Sequence, residues 1–165
     1  MKELIANIVL SYYSRYPERM REDTLHTHEV VIYTYLIATG EKIPEMEIDL
    51  LVAAAWLHDI GCPRSTEIYG NSLPENQQSI GRQIASDLLA PLDCLSPLEK
   101  QWLVDVVGTH HQFSKAKELG SMPLFEADLI VNVLSGYHAK EKAQLLYDTM
   151  MVSQTGRKLF KTLIG

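Results

Sequence analysis

Apolar positions along the chain recur three or four residues apart, and no stretch alternates with period two for long enough to argue a strand. Prolines and glycines interrupt this helical pattern and set the predicted elements. A first helix is expected over about 2–15, ending before Pro17, and a second opens at Asp23 or Thr24 and stops at Gly40. The third follows Pro44, carries acidic residues in its first turn and ends near Asp59, with Gly61 behind it. Residues 60–74 hold Gly61, Pro63, Gly70, Asn71 and Pro74 and read as a loop. A fourth helix is expected over about 75–90, and a fifth from the capping pair Ser96-Pro97 to about His111. After a loop to Met122, a sixth covers about 123–136 and a seventh about 138–151, with a short helical tail at 156–163. The expected fold class is all-α: one domain over 1–165, a compact bundle of six or seven helices.

Polar groups stand on several of these apolar stripes. In the second helix His28, Val31, Ile32, Tyr35 and Thr39 share one face, which is expected to be the core face. In the third, Ile48, Leu51, Val52 and Ala55 lead to His58; in the fifth, Leu103, Val106 and Val107 lead to His110, with His111 beside it. The segment "PLFEADLIVNVLSG" is apolar nearly all round, yet it holds Asp128 and Asn132 one turn apart. An ionised carboxylate in such a place is costly unless it is paired or bound to a metal.

A single histidine on an apolar face reads more readily as a hydrogen-bonded core residue. Four helices each aiming a histidine or carboxylate at one core form the arrangement from which bundle metal sites are built. Neutral imidazole and carboxylate suit Zn, Fe, Mn or Ni. In "AAAWLHDIGCP" the adjacent His58 and Asp59 would diverge by about 100° in mid-helix. At the helix end, Gly61 is expected to permit a turn through which both side chains reach one ion.

Composition narrows the partners. The 165 residues are 46% hydrophobic and 22% charged, with a net charge of −6. That suits one sizeable core and gives no basic face for a nucleic-acid polymer. The C-terminal segment leans basic through Lys140, Lys142, Arg157, Lys158 and Lys161 and reads as a solvated surface. No apolar run is long enough to span a bilayer, and "MKELIANIVLSYYSRYPERM" lacks the small-residue cleavage site of a signal peptide, so no membrane partner is expected. Two cysteines, Cys62 and Cys94, form no disulfide framework and suit a reducing cytoplasm. Tyr12, Tyr13 and Tyr16 read either as the face of a homodimer or as interior residues.

The ordered set His28, His58-Asp59 and Asp128 resembles the HD-domain superfamily of metal-dependent phosphohydrolases. "WLHDIG" is close to that family's central signature, and "GTHHQFS" and "EADLIVNV" are similar to its later histidine- and aspartate-bearing helices. The resemblance covers about residues 24–136 and is strongest to small bacterial members. It implies that His28, His58, Asp59 and Asp128 hold a divalent transition metal ion: Fe, Mn, Zn, Ni or Co. His26, two residues from His28, is expected to point elsewhere, at the surface. His110 and His111 match positions that help hold a second metal in dinuclear members. Those members also carry a histidine four residues before a glycine where "QQSIGRQIA" has Gln77 and Gly81. Glutamine is a poor ligand for a transition metal, so one ion is expected and a second is less so. The chain lacks the GYP-type element of cyclic-dinucleotide phosphodiesterases, and that activity is not expected.

The implied activity is hydrolysis of a small phosphate ester, a nucleotide among the candidates. The ion lowers the pKa of its water and polarises a phosphoryl oxygen. Asp59 or Asp128 orients that water, and a protonated His110 or His111 steadies the phosphoryl charge or protonates the leaving group. The expected catalytic set is therefore Asp59, His110 and His111. Gln77, Arg64, Arg82 and Lys115 are expected to contact the phosphorylated substrate, although each cation alone reads as a solvated surface residue. Two other classes stay open. One is a di-iron oxygenase on the same scaffold, whose fuller ligand set Gln77 interrupts. The other is a non-catalytic regulatory or binding module that contains a metal.

Overall fold

Proline marks where half of the α-helices begin, because its fixed φ suits the first turn and its missing N–H is no loss there. In the computed structural model, which describes residues 1–165, prolines occupy the first two positions of α2 (Pro17–Gly40), α4 (Cys62–Tyr69), α5 (Pro74–Leu89), α6 (Pro97–Val107) and α8 (Met122–Leu134). The remaining α-helices are α1 (Lys2–Tyr13), α3 (Glu45–Leu57), α7 (Phe113–Leu119), α9 (Ala143–Met150) and α10 (Gln154–Ile164), with a 3-10 turn at Lys140–Lys142. Ser96 caps α6 in a reciprocal box: its hydroxyl accepts from the Glu99 amide at 3.3 Å, and the Glu99 carboxylate accepts from the Ser96 amide at 2.7 Å.

The all-helical class holds, but the chain forms more helices than the six or seven expected. The supposed loop over 60–74 contains α4, and that over 112–122 contains α7. Both helices stop at a glycine in the left-handed region, Gly70 at φ 71° and Gly120 at φ 72°. The glycines and prolines there bound short helices instead of filling a loop. α2 begins at Pro17, well before Asp23, so Glu18, Arg19, Arg21 and Glu22 belong to a helix. No helix is long and apolar enough to cross a membrane.

α8 is the axis of the core. It packs against α2, α3, α7 and α10, and every residue from Pro123 to Val133 is buried. α2 lies between α8, α3 and α1 and turns Asp23, Thr27, Val30, Thr34 and Ile37 inward. The face expected to be buried is the other one: Ile32 is 54% and Tyr35 49% exposed, and with Val31, Leu36 and Val52 they line a shallow apolar groove. Small and β-branched residues form the true contact, which lets three helices approach closely. Tyr12 and Tyr13 are buried and Tyr16 is half-buried, so the interior alternative applies to these tyrosines. The Tyr13 and Thr27 hydroxyls share a hydrogen bond at 3.3 Å.

Two close contacts lock this arrangement. Glu126 of α8 is fully buried, and its carboxylate accepts from the Val152 amide at 2.5 Å, the Ser153 amide at 2.8 Å and the Ser153 hydroxyl at the start of α10. Gly61, expected to be needed for a special turn, has an ordinary right-handed conformation (φ −81°, ψ −19°). Its requirement is space: a Cβ there would overlap the Gln77 carbonyl oxygen and the Gly81 backbone of α5. Gly61→Ala should therefore destabilise the protein by about 1–3 kcal/mol through overpacking, read as a lowered denaturant midpoint with an unchanged m-value.

Candidate metal centre

Histidines at two helix ends are fixed by one device. His58 follows the last residue of α3, and its Nδ1 donates to the Ala55 carbonyl at 2.7 Å. His110 lies just past α6, and its Nδ1 donates to the Val107 carbonyl at 2.9 Å. Each ring is thereby oriented with Nε2 facing the core, as a metal-ligating histidine requires. The turn after α3 is tight, with Ile60 N bonded to the Leu57 carbonyl and Cys62 N to the Asp59 carbonyl, both at 2.9 Å. Residues 58 and 59 consequently face one centre.

The third histidine is His26, not His28. His26 sits beside the inward stripe of α2, and its Nε2 lies 3.2 Å from His58 Nε2, 3.3 Å from Asp59 Oδ2 and 3.2 Å from Asp128 Oδ1. His28 is two positions on, roughly 200° around the helix. It is exposed, with its ring edge-on to Trp56 at 4.8 Å and its Nδ1 on the Thr24 carbonyl at 2.8 Å. The bulkier apolar face of α2, which carries His28, is the exposed one. The signal that separates the two histidines is the stripe Asp23, Thr27, Val30, Thr34 and Ile37, which flanks His26 and leaves His28 outside.

Asp59 and Asp128 each divide their oxygens between two groups of histidines. Asp59 Oδ2 is 3.4 Å from His58 Nε2, while Oδ1 is 3.4 Å from His110 Nε2. Asp128 Oδ1 is 3.7 Å from His58 Nε2, while Oδ2 is 3.6 Å from His111 Nδ1. His26, His58 and Asp59 form one set of possible ligands, and Asp59, His110 and His111 a second. Donors about 2.1 Å from a common ion stand roughly 3–3.4 Å apart, which the first set matches. Asp59 Oδ1, Asp128 Oδ1 and His110 Nε2 are buried with no hydrogen-bond partner. Such orphans are rare without a ligand, so the donors fit a divalent ion.

Protons balance the two carboxylates in the protein alone. Burial opposes charge on His58, but Asp59 and Asp128 outweigh it and lift its pKa to about 9. His26 is likewise raised, its burial overcome by the Asp128 carboxylate beside it and the charge on Asp59. Against their own burial, Asp59 is held well below the usual carboxylate range by His58 and His110, and Asp128 is pulled to about 2 by His26 and His58. His111 goes the other way, to about 4, through burial and the neighbouring His110. A protonated His111 is therefore not available near neutral pH. Gln77 donates its amide to His111 Nε2 at 2.6 Å, which leaves the ring proton on Nδ1.

The first set opens on a cavity of about 870 Å³, lined by His26, Asp59, Gln77, His111 and Asn132 together with the first half of α2. Gln77 thus reaches the place expected of it. Arg64, Arg82 and Lys115 do not line the cavity; each is engaged at the outer surface, with Glu67, Asp105 and Glu118 respectively. The cations on the cavity wall are Arg19 and Arg21, which lie ahead of the start of α2 expected from the sequence. Arg19 is committed to Asp23 through two hydrogen bonds, at 2.8 and 3.2 Å, and to the Thr66 hydroxyl at 3.1 Å. Arg21 forms no ion pair within the chain.

A family model of the HD domain matches residues 25–148. Neither a curated protein nor a solved structure matches the chain.

The charge on His58 contributes stability that is fully present below its ordinary pKa of 6.5 and is lost as pH rises through about 9. NMR titration of the chelator-treated protein should accordingly find one buried imidazole with a midpoint near 9, falling in Asp59→Asn. A midpoint near 6.5 in the parent protein would refute this charge balance.

Proposed function

The chain belongs to the HD-domain family, and from that premise we propose that it is a metal-dependent phosphohydrolase acting on a small phosphate ester, of which a nucleotide is one example. The observation that supports this reading most is the convergence of His26, His58, Asp59 and Asp128 from α2, α3 and α8 beside a cavity. These four would hold one divalent ion. When bound, the ion would lower the pKa of water and polarise a phosphoryl oxygen.

The chain's own residues supply the rest. The carbonyl of Ala55 holds the His58 ring in place, and Asp59 and Asp128 bring the negative charge that a cation needs in a buried setting. Arg21, free of any carboxylate, is the cavity residue suited to a phosphate. His111 acts as a neutral hydrogen-bonding group, its tautomer set by Gln77, and contacts phosphoryl oxygens through that role. His110 is buried behind Asp59, off the cavity wall, and positions that carboxylate.

A second ion is the other reading the geometry favours, because Asp59 and Asp128 also offer an oxygen each toward His110 and His111. Two irons there would open the oxygenase class, and bound metal without turnover would leave a binding module.

Metal analysis with a phosphate-release screen separates these classes. The expected result is one tightly held ion per chain and phosphate release that a chelator abolishes. Two irons with oxygen uptake would replace the phosphohydrolase reading. Within it, His26→Ala should lower metal affinity by more than about a hundredfold, beyond the cost of losing an outer partner, while His28→Ala keeps metal and activity. The reverse outcome would restore His28 as the ligand. Arg21→Ala should raise KM about tenfold or more, as expected for a lost charged hydrogen bond, with metal content unchanged.

A further inference from the structure

Asn132 is the one polar residue of the cavity's α8 wall without a task in this chemistry. It stands one turn beyond Asp128, is 8% exposed and lines the cavity. Its backbone carbonyl accepts from the His138 amide at 2.9 Å and the Ser135 hydroxyl at 3.4 Å. Its side-chain amide has no hydrogen-bond partner in the protein. The amide reaches the cavity with no protein group to satisfy it, so it is free to meet a ligand there. An amide both donates and accepts, whereas an ionised phosphate only accepts. The group that uses both functions of the amide is a hydroxyl or another amide.

The chain beyond α8 adds a second wall to the same corner. Ser135 N and Gly136 N return to the Val131 and Val133 carbonyls at 2.8 and 3.2 Å, and Gly136 takes φ 81°. With His138 N bonded back to Asn132, this reversal places Tyr137 on the cavity rim, where it is 61% exposed. An aromatic face beside an unpaired amide suits a ring that is apolar on its face and hydroxylated at its edge. Glu18, Glu22 and Glu29 also line the cavity, and their charge disfavours a second phosphate on the ligand.

We propose that Asn132 and Tyr137 form the subsite for the alcohol portion of the substrate, and that this portion is a hydroxyl-bearing ring carrying a single phosphate, as in a sugar monophosphate. The reacting group rests on the phosphohydrolase reading; the subsite rests on the amide and the ring.

The test compares ribose 5-phosphate with methyl phosphate, which shares an alkyl leaving group and has no hydroxyls. The parent protein should favour ribose 5-phosphate in kcat/KM by a hundredfold or more. Asn132→Ala and the near-isosteric Asn132→Leu should each cut that preference at least tenfold with metal content retained. Tyr137→Ala, at an exposed position, should also cut it without touching the core. A preference that is absent in the parent, or unmoved in all three variants, overturns the subsite while leaving hydrolysis intact. If the metal-loaded parent releases phosphate from neither compound nor from 4-nitrophenyl phosphate, the phosphohydrolase reading fails instead. Calorimetric titration with ribose 5-phosphate then decides the subsite: binding that is lost in Asn132→Ala supports it, and no binding by the parent overturns it.

Discussion

Two carboxylates, Asp59 and Asp128, share the interior of a helical core, and their burial is tolerable only because positive charge is held within about 4 Å of both. Much of the architecture follows from that constraint. The pKa of His58 is lifted to about 9 and that of His26 is raised, each against its own burial, because the carboxylates stand beside them. The helices that bring those histidines must end or pass at fixed places. α3 stops so that its terminal turn aims residues 58 and 59 together, α6 stops three residues before His110, and α2 turns its leanest face inward so that His26 can approach. A divalent cation and imidazolium charge answer the same electrostatic need, so metal uptake would be coupled to proton release at this centre.

The outer groups of the site are held by a different logic. Arg19 is spent on Asp23 and Thr66, which ties the start of α2 to α4 and stiffens one wall of the cavity. Gln77 sets the tautomer of His111, and Gly61 lets α5 approach closely enough to bring Gln77 there. The glutamine that departs from the dinuclear ligand pattern therefore still serves the centre, through a hydrogen bond.

The parts of this centre that could be read from the sequence are those where chemistry and periodicity agree. His58, Asp59 and Asp128 lie at the end of, or inside, segments so apolar that only one orientation is available. α2 offers two faces. The bulkier one, with Val31, Ile32 and Tyr35, looks like the core, yet close approach to α8 and α3 selects the face with Thr27, Val30 and Thr34. Hydrophobicity alone favours the wrong side there, the side that carries His28 and not His26. The cations failed for another reason. Whether Arg64, Arg82 or Lys115 is free depends on carboxylates that the fold brings alongside, and for Arg82 that partner is on another helix. Arg21 lies in the part of α2 between Pro17 and Asp23, ahead of the helix start that the sequence pattern suggests.

The buried Glu126 bears on where this unit ends. The similarity to the family stops at residue 148, but the amides that neutralise Glu126 belong to Val152 and Ser153. A chain cut at the edge of the similarity would leave a buried carboxyl group without its donors inside the very helix that carries Asp128. The packed unit is therefore longer than the matched stretch, and the last helix, remote from the metal centre, helps to hold the helix that builds it.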